Sequence, residues 1–148
     1  MAAKKLNETS GKRKSSFFSL LDTDMAQHNE LGKAGEQIAQ EFLIKQGYII
    51  RETNWRLNKL EIDIVAEGNG VLHIVEVKTR SHDDKFDPLR SITEAKKRRL
   101  IRAANGYMSY HQLKMEIQFD VIVIVGRAEN FDLQYIPNAF YPRLRTYR

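Results

Sequence analysis

The chain has 148 residues, no cysteine and a formal net charge of +5. That is the length of one ordinary domain. Hydrophobic residues at 42% and charged residues at 29% are globular composition, not that of a disordered chain. The lack of cysteine excludes disulfides, thiolate metal sites and cysteine nucleophiles. It agrees with a reducing compartment, and a cytoplasmic protein is expected. The longest aliphatic run, residues 121–125, is far short of the ~20 residues of a membrane-spanning helix, so no membrane association is expected. The apolar stretch from Phe17 to Leu21 is too short for a signal-peptide core and runs into Asp22 and Asp24. The basic excess favours polyanionic partners without identifying one.

In chain order, residues 1–24 read as an extension, with Lys4, Lys5, Lys12, Arg13 and Lys14 among polar residues and no sustained periodicity. Such a segment is either a solvated tail or an arm on nucleic acid. Leu31, Ala34, Ile38, Ala39, Phe42 and Leu43 recur at helical spacing, predicting a helix over 29–46 that Gly47 stops. Gly32 and Gly35 each cost this helix about 1 kcal/mol relative to Ala, which close approach of another backbone would justify. Strands are predicted over 48–55, 60–67 and 71–80, with a hairpin at Gly68-Asn69-Gly70. A polar loop follows. Ser91 and Glu94 have capping-box spacing, opening a helix to about His111. Residues 117–125 are a continuous apolar strand buried on both faces, and 131–136 a weaker last strand. The order α-β-β-β-α-β-β describes an α/β fold, a mixed sheet with helices packed on it. The domain is bounded at 25–140, with a basic tail at 141–148.

The third strand holds the chemistry. Val71, His73, Val75 and Val77 share one face; Leu72, Ile74, Glu76 and Lys78 share the other. Both faces are largely apolar, yet one carries a carboxylate and an ammonium, whose desolvation needs compensation. In the second strand Asp63 lies between Glu61 and Val65 on one face, while Ile62, Ile64 and Ala66 share the other. A two-residue turn at Gly68-Asn69 pairs Glu67 with Gly70; a four-residue loop pairs Glu67 with Leu72. Either register puts Asp63 and Glu76 on one face, within a diagonal step. A three-residue loop would put them on opposite faces. Two adjacent carboxylates repel, and Mg²⁺, which takes oxygen ligands, removes the repulsion. With Lys78 beside them the set suits metal-assisted phosphodiester hydrolysis. A plain Glu–Lys ion pair explains the spacing equally well.

Leu60-Glu61-Ile62-Asp63-Ile64-Val65-Ala66 followed by Val75-Glu76-Val77-Lys78-Thr79-Arg80 resembles the core of the PD-(D/E)XK nuclease superfamily. More closely it resembles the YraN-type family of endonuclease-like bacterial proteins, similar in fold to Holliday-junction resolvases. The match runs through Gly32, Gly35 and Glu36, Gly47-Tyr48, Asn54-Trp55-Arg56, Ile92-Thr93 with Lys96 and Arg99-Leu100, and Phe119-Asp120-Val121. The resemblance implies a restriction-endonuclease-like core and Mg²⁺ or Mn²⁺ held by Asp63 and Glu76, with the Val77 carbonyl as a third ligand. It implies Lys78 as the catalytic lysine and Glu36 completing the site directly or through water. It also implies a nucleic-acid partner, DNA before RNA, and by analogy with resolvases a homodimer. Leu60 stands where the family usually has glycine, and Gln118 where arginine often precedes Phe-Asp. Met25 to Gly32 resembles a family N-terminus, so translation is expected to begin at Met25.

Lys96, Lys97, Arg98, Arg99 and Arg102 in the second helix cannot all face the core. With Arg80 they form a candidate basic surface for a phosphate backbone, extended by Arg143, Arg145 and Arg148. A solvated charged face is the alternative. His73 is expected to be a satisfied core residue, His82 a loop residue, and His28 and His111 helix-flanking. Trp55, Tyr107 and Tyr110 are expected in the core or at its rim. The competing functions are a metal-dependent nuclease, a non-catalytic nucleic-acid-binding module on the same fold, and a structural partner whose carboxylates only pair with Lys78.

Overall fold

The structure, a computed structural model, describes residues 17–81, 87–127 and 129–142. The N-terminal lysines and Arg13, the loop residues His82, Asp83 and Asp84, and Arg143, Arg145 and Arg148 lie outside the described residues. The order is α1 (Phe17–Lys45), β1 (Ile49–Leu57), β2 (Leu60–Gly68), β3 (Val71–Arg80), α2 (Glu94–Tyr110), β4 (Glu116–Arg127) and β5 (Asn130–Phe140). This is the expected sequence of elements. The five strands form one sheet in the order β1-β2-β3-β4-β5. Among the described residues only β3 and β4 are parallel, and α2 is the crossover that a parallel pair requires. No helix among the described residues is long and apolar enough to cross a membrane.

Alternation along the central strands builds two cores. Leu72, Ile74, Val121 and Val123 pack with Leu100, Ala103, Ala104 and Tyr107 of α2. Val75, Ile122 and Ile124 pack with Ala39 and Leu43 of α1. Each fully buried aliphatic side chain of this kind stabilises the fold by about 1.5–3 kcal/mol. β4 is thus covered on both faces, as its unbroken apolar run requires.

Several boundaries differ from expectation for local reasons. α1 begins at Phe17, not near residue 29, and His28 lies within it. No proline or glycine interrupts the chain between Phe17 and Leu31, so helix propagates once the packed C-terminal half nucleates it. Its end is as read. Gly47 has φ +91; Tyr48 N–H donates to Leu43 O and Gly47 N–H to Ile44 O, both at 3.0 Å, a Schellman stop. The α2 cap is Thr93, not Ser91: Thr93 accepts from Lys96 N–H, while Ser91 Oγ donates to Pro88 O. β5 runs on to Phe140 past Pro137, tolerable because β5 is an edge strand.

The two glycines of α1 separate clearly. A Cβ on Gly35 would collide with Thr79 Cγ2, whereas one on Gly32 would meet nothing within 4 Å. Only Gly35 serves close approach. It seats α1 against the C-terminal end of β3, next to the candidate site.

Candidate metal centre and basic surface

The β2–β3 turn sets the register. Asn69 and Gly70 have φ +53 and +76, the positive pair that a type I′ turn demands and that Asn-Gly favours. The two-residue turn lies at Asn69-Gly70, one residue later than the Gly68-Asn69 alternative. It pairs Gly68 with Val71 and Glu67 with Leu72, and a regular ladder continued in this register would set Asp63 opposite Glu76.

The β2–β3 ladder itself extends only as far as Ile64 and Val75. Beyond it the Val77 N–H donates to Asp63 Oδ2 at 2.9 Å. A side chain standing perpendicular to a regular sheet does not reach a neighbouring strand's amide. β2 is therefore irregular at Asp63, and its packing shows the same break. Ile62 packs on the α2 side while Ile64 and Ala66 pack on the α1 side, correcting the expectation that these three share a face. On the other flank, between the pairs Thr53–Ile64 and Trp55–Ile62, Asn54 takes φ +50.

Glu76 is buried at the same end of β3, its side chain 5% exposed. Its Oε1 lies 3.2 Å from Lys78 Nζ and 3.5 Å from Lys96 Nζ. Its Oε2 is buried with no hydrogen-bond partner among the described residues. Burial first, then the Glu76 charge, push the Asp63 carboxyl up to about 7; Glu36 adds to this, while the Val77 N–H and Lys96 oppose it. An orphaned buried carboxylate oxygen is costly, and here it sits near a second carboxylate that already resists ionisation.

Glu36 is half-buried on α1 and accepts from Asn54 Nδ2 at 2.9 Å. It acts on Asp63 through its charge and makes no direct hydrogen bond to Asp63 or Glu76. Among the described residues, no three His, Asp or Glu side chains cluster closely enough to hold an ion on their own. The centre is thus two carboxylates with Lys78 and Lys96, and Glu36 at its margin.

Lys96 was expected on the surface stripe; the structure turns it to Glu76. Its place in the first turn of α2, which crosses over between the parallel strands β3 and β4, brings it there. Of the other expected basic residues, Lys97 pairs with Glu94 at 3.1 Å and lies over the Phe140 ring. Arg98, Arg99 and Arg102 are exposed and make no ion pair among the described residues. Arg80 is exposed and donates to Thr79 O.

A second buried polar group lies across the sheet. Asp120 accepts from His73 Nδ1 at 2.7 Å, Tyr135 Oη at 2.6 Å, Gln118 Nε2 at 2.9 Å and Asn138 N–H at 3.0 Å. Burial alone would raise its carboxyl, but these hydrogen bonds outweigh burial and hold it below the usual range. An ionised carboxylate only accepts, so His73 Nδ1 carries the hydrogen. His73 is the satisfied core residue expected, and Gln118 serves this network. The sequence signal for it was an Asp inside a strand buried on both faces, which must find donors. Trp55 and Tyr107 are core residues stacked edge-on at 5.2 Å, and Tyr110 lies exposed at the rim. His111 caps α2.

A family model described as "Uncharacterised protein family UPF0102" matches residues 35–124, a span that contains Glu36, Asp63, Glu76, Lys78 and the α2 cations. A UPF0102 protein of Bacteroides fragilis is 47% identical over 120 residues, covering 81% of this chain and 99% of the relative. One from Bacteroides thetaiotaomicron is 46% identical with the same coverage. One from Flavobacterium psychrophilum is 45% identical over 117 residues, covering 79% of this chain and 98% of the relative.

Proposed function

This chain belongs to the UPF0102 family, and we propose that it is a divalent-cation-dependent nuclease hydrolysing phosphodiester bonds in nucleic acid, DNA before RNA. The observation that carries the proposal is the unpartnered Glu76 Oε2 beside an Asp63 carboxyl raised to about 7. A structural ion pair accounts for Glu76 Oε1 with Lys78 and leaves both of those features unexplained. A divalent cation accounts for them together, because it takes oxygen ligands and favours the ionised form of each.

Asp63 and Glu76 would hold Mg²⁺ or Mn²⁺. The Val77 carbonyl would join them, since strand geometry aims it to the same side as the N–H that binds Asp63. Two carboxylates and water are a usual Mg²⁺ set, so the absence of a third close carboxylate among the described residues fits. Glu36, held by Asn54, would reach the cation through water. When bound, the cation supplies Lewis-acid stabilisation of phosphoryl charge. Lys78 supplies a fixed ammonium for charge developing on the phosphate. Arg98, Arg99 and Arg102 offer exposed cations to the backbone, which gives affinity without sequence choice.

The test is a cleavage screen with Mg²⁺ and Mn²⁺ over single-stranded, duplex, flapped and branched DNA and RNA. Asp63→Asn, Glu76→Gln and Lys78→Ala should each lower cleavage by at least about 10²-fold and leave binding largely intact. Equal cleavage by Glu76→Gln would refute the site. Binding without cleavage of any substrate would support the non-catalytic reading instead.

A further inference from the structure

Lys96 sits where helix electrostatics argue against a lysine. It lies in the first turn of α2, after the Thr93 cap, at the positive end of the helix dipole. A cation there is disfavoured, as an anion there is favoured. Its ammonium is directed at Glu76 Oε1, 3.5 Å away, the oxygen that Lys78 already contacts at 3.2 Å. Two ammonium groups therefore crowd one oxygen while the other oxygen of that carboxylate has no partner among the described residues. An ion pair built only for stability needs one lysine.

The two lysines are held differently. Lys78 is carried by the central strand β3, and its side chain is 22% exposed. Lys96 reaches in from a separate element, makes the longer contact and is 36% exposed. With both carboxylates ionised, Asp63 and Glu76 balance Lys78 and Lys96. A divalent cation added between the carboxylates leaves the cluster with an excess of positive charge. Repulsion then expels the ammonium that is most weakly held and closest to solvent.

We propose that Lys96 is a displaceable counter-ion: it neutralises Glu76 when no metal is bound, and metal binding releases it, beside the α2 N-terminus, to a nucleic-acid phosphate. The inference rests on the metal-dependent reading of the site. It goes beyond that reading by making metal and nucleic acid bind cooperatively through one side chain. Linkage requires the coupling to be reciprocal. Metal strengthens the phosphate contact, and the bound phosphate, by holding Lys96 away, strengthens metal binding.

The test is Lys96→Gln in the full chain, since glutamine suits the third position of a Thr-capped helix. Mn²⁺ affinity is measured by calorimetry without nucleic acid. DNA binding is measured against salt with and without Ca²⁺, an ion that takes the same class of oxygen ligands. Removing the competing ammonium should tighten Mn²⁺ binding several-fold. With Ca²⁺ the wild-type slope of log K against log salt should exceed the variant's by about 0.9, the worth of one phosphate contact. Without Ca²⁺ the two slopes should coincide. Unchanged or weaker Mn²⁺ binding in Lys96→Gln would overturn the proposal, as would a slope difference independent of metal. If wild type binds Mn²⁺, Asp63→Asn abolishes that binding and Lys96→Gln changes nothing, only the role of Lys96 fails. If wild type binds no Mn²⁺, the nuclease reading fails with it.

Discussion

Asp63→Asn isolates the electrostatic strain at the centre. The Asp63 carboxyl is raised from 3.8 to about 7 by burial and by the Glu76 charge. The unfolded chain loses this proton near the ordinary value, while the folded chain keeps it until near neutrality. Between those two values the native state binds more protons, so stability falls as pH rises through that window. A shift of about three units at about 1.4 kcal/mol each gives at most about 4 kcal/mol. Asparagine is neutral at every pH, and its oxygen can still accept from the Val77 N–H. The variant should therefore match wild type near pH 4 and exceed it increasingly up to about pH 8. A domain of this size gains roughly 2–4 °C per kcal/mol, so the excess should reach at most about 8–16 °C. Asp120, whose carboxyl is depressed, contributes stability that is lost only as pH falls below the ordinary carboxylate value. It does so equally in both proteins and cancels in the difference. Melting curves with chelator at constant ionic strength, pH 4 to 8.5, measure this difference. A difference that stays flat across the range, or that shows wild type gaining on the variant as pH rises, would refute the reasoning.

The same melting assay tests the metal centre. Mn²⁺ at a hundredfold excess over Kd should stabilise wild type by about 2.7 kcal/mol, with little response in Asp63→Asn or Glu76→Gln. Replacing Arg98, Arg99 and Arg102 together by glutamine should weaken binding to all duplex sequences alike. Each lost phosphate contact should flatten the salt slope by about 0.9, and an unchanged slope would mark these arginines as a solvated face. Gly35→Ala should destabilise by about 1–3 kcal/mol, because its methyl meets Thr79. Gly32→Ala should stabilise by up to about 1 kcal/mol, because nothing opposes it. Equal effects at the two glycines in denaturant unfolding would contradict the packing of α1 on β3.

Local pattern was enough for much of this protein. Apolar residues on both faces announced β3 and β4 as central strands, Gly47 announced the end of α1, and Gly68-Asn69-Gly70 announced a hairpin while leaving its register open among the possible loops. Those features follow from backbone preferences and from which face of an element must be buried, and both are written in neighbouring residues. The register that runs Asp63 toward Glu76 was narrowed for the same reason, since a short loop constrains the pairing of a hairpin; the direction of the Asp63 side chain, which turns to the Val77 N–H, was not. What tertiary structure decided is where neighbours in space are distant in sequence. The break in β2 at Asp63 depends on Asn54 across one strand pair and Val77 across the other. The turning of Lys96 from the surface to Glu76 depends on where the parallel crossover sets down the start of α2. The donors of Asp120 come from β3, β4 and β5 together. Such choices are made between elements far apart in the chain, so no window of sequence contains them.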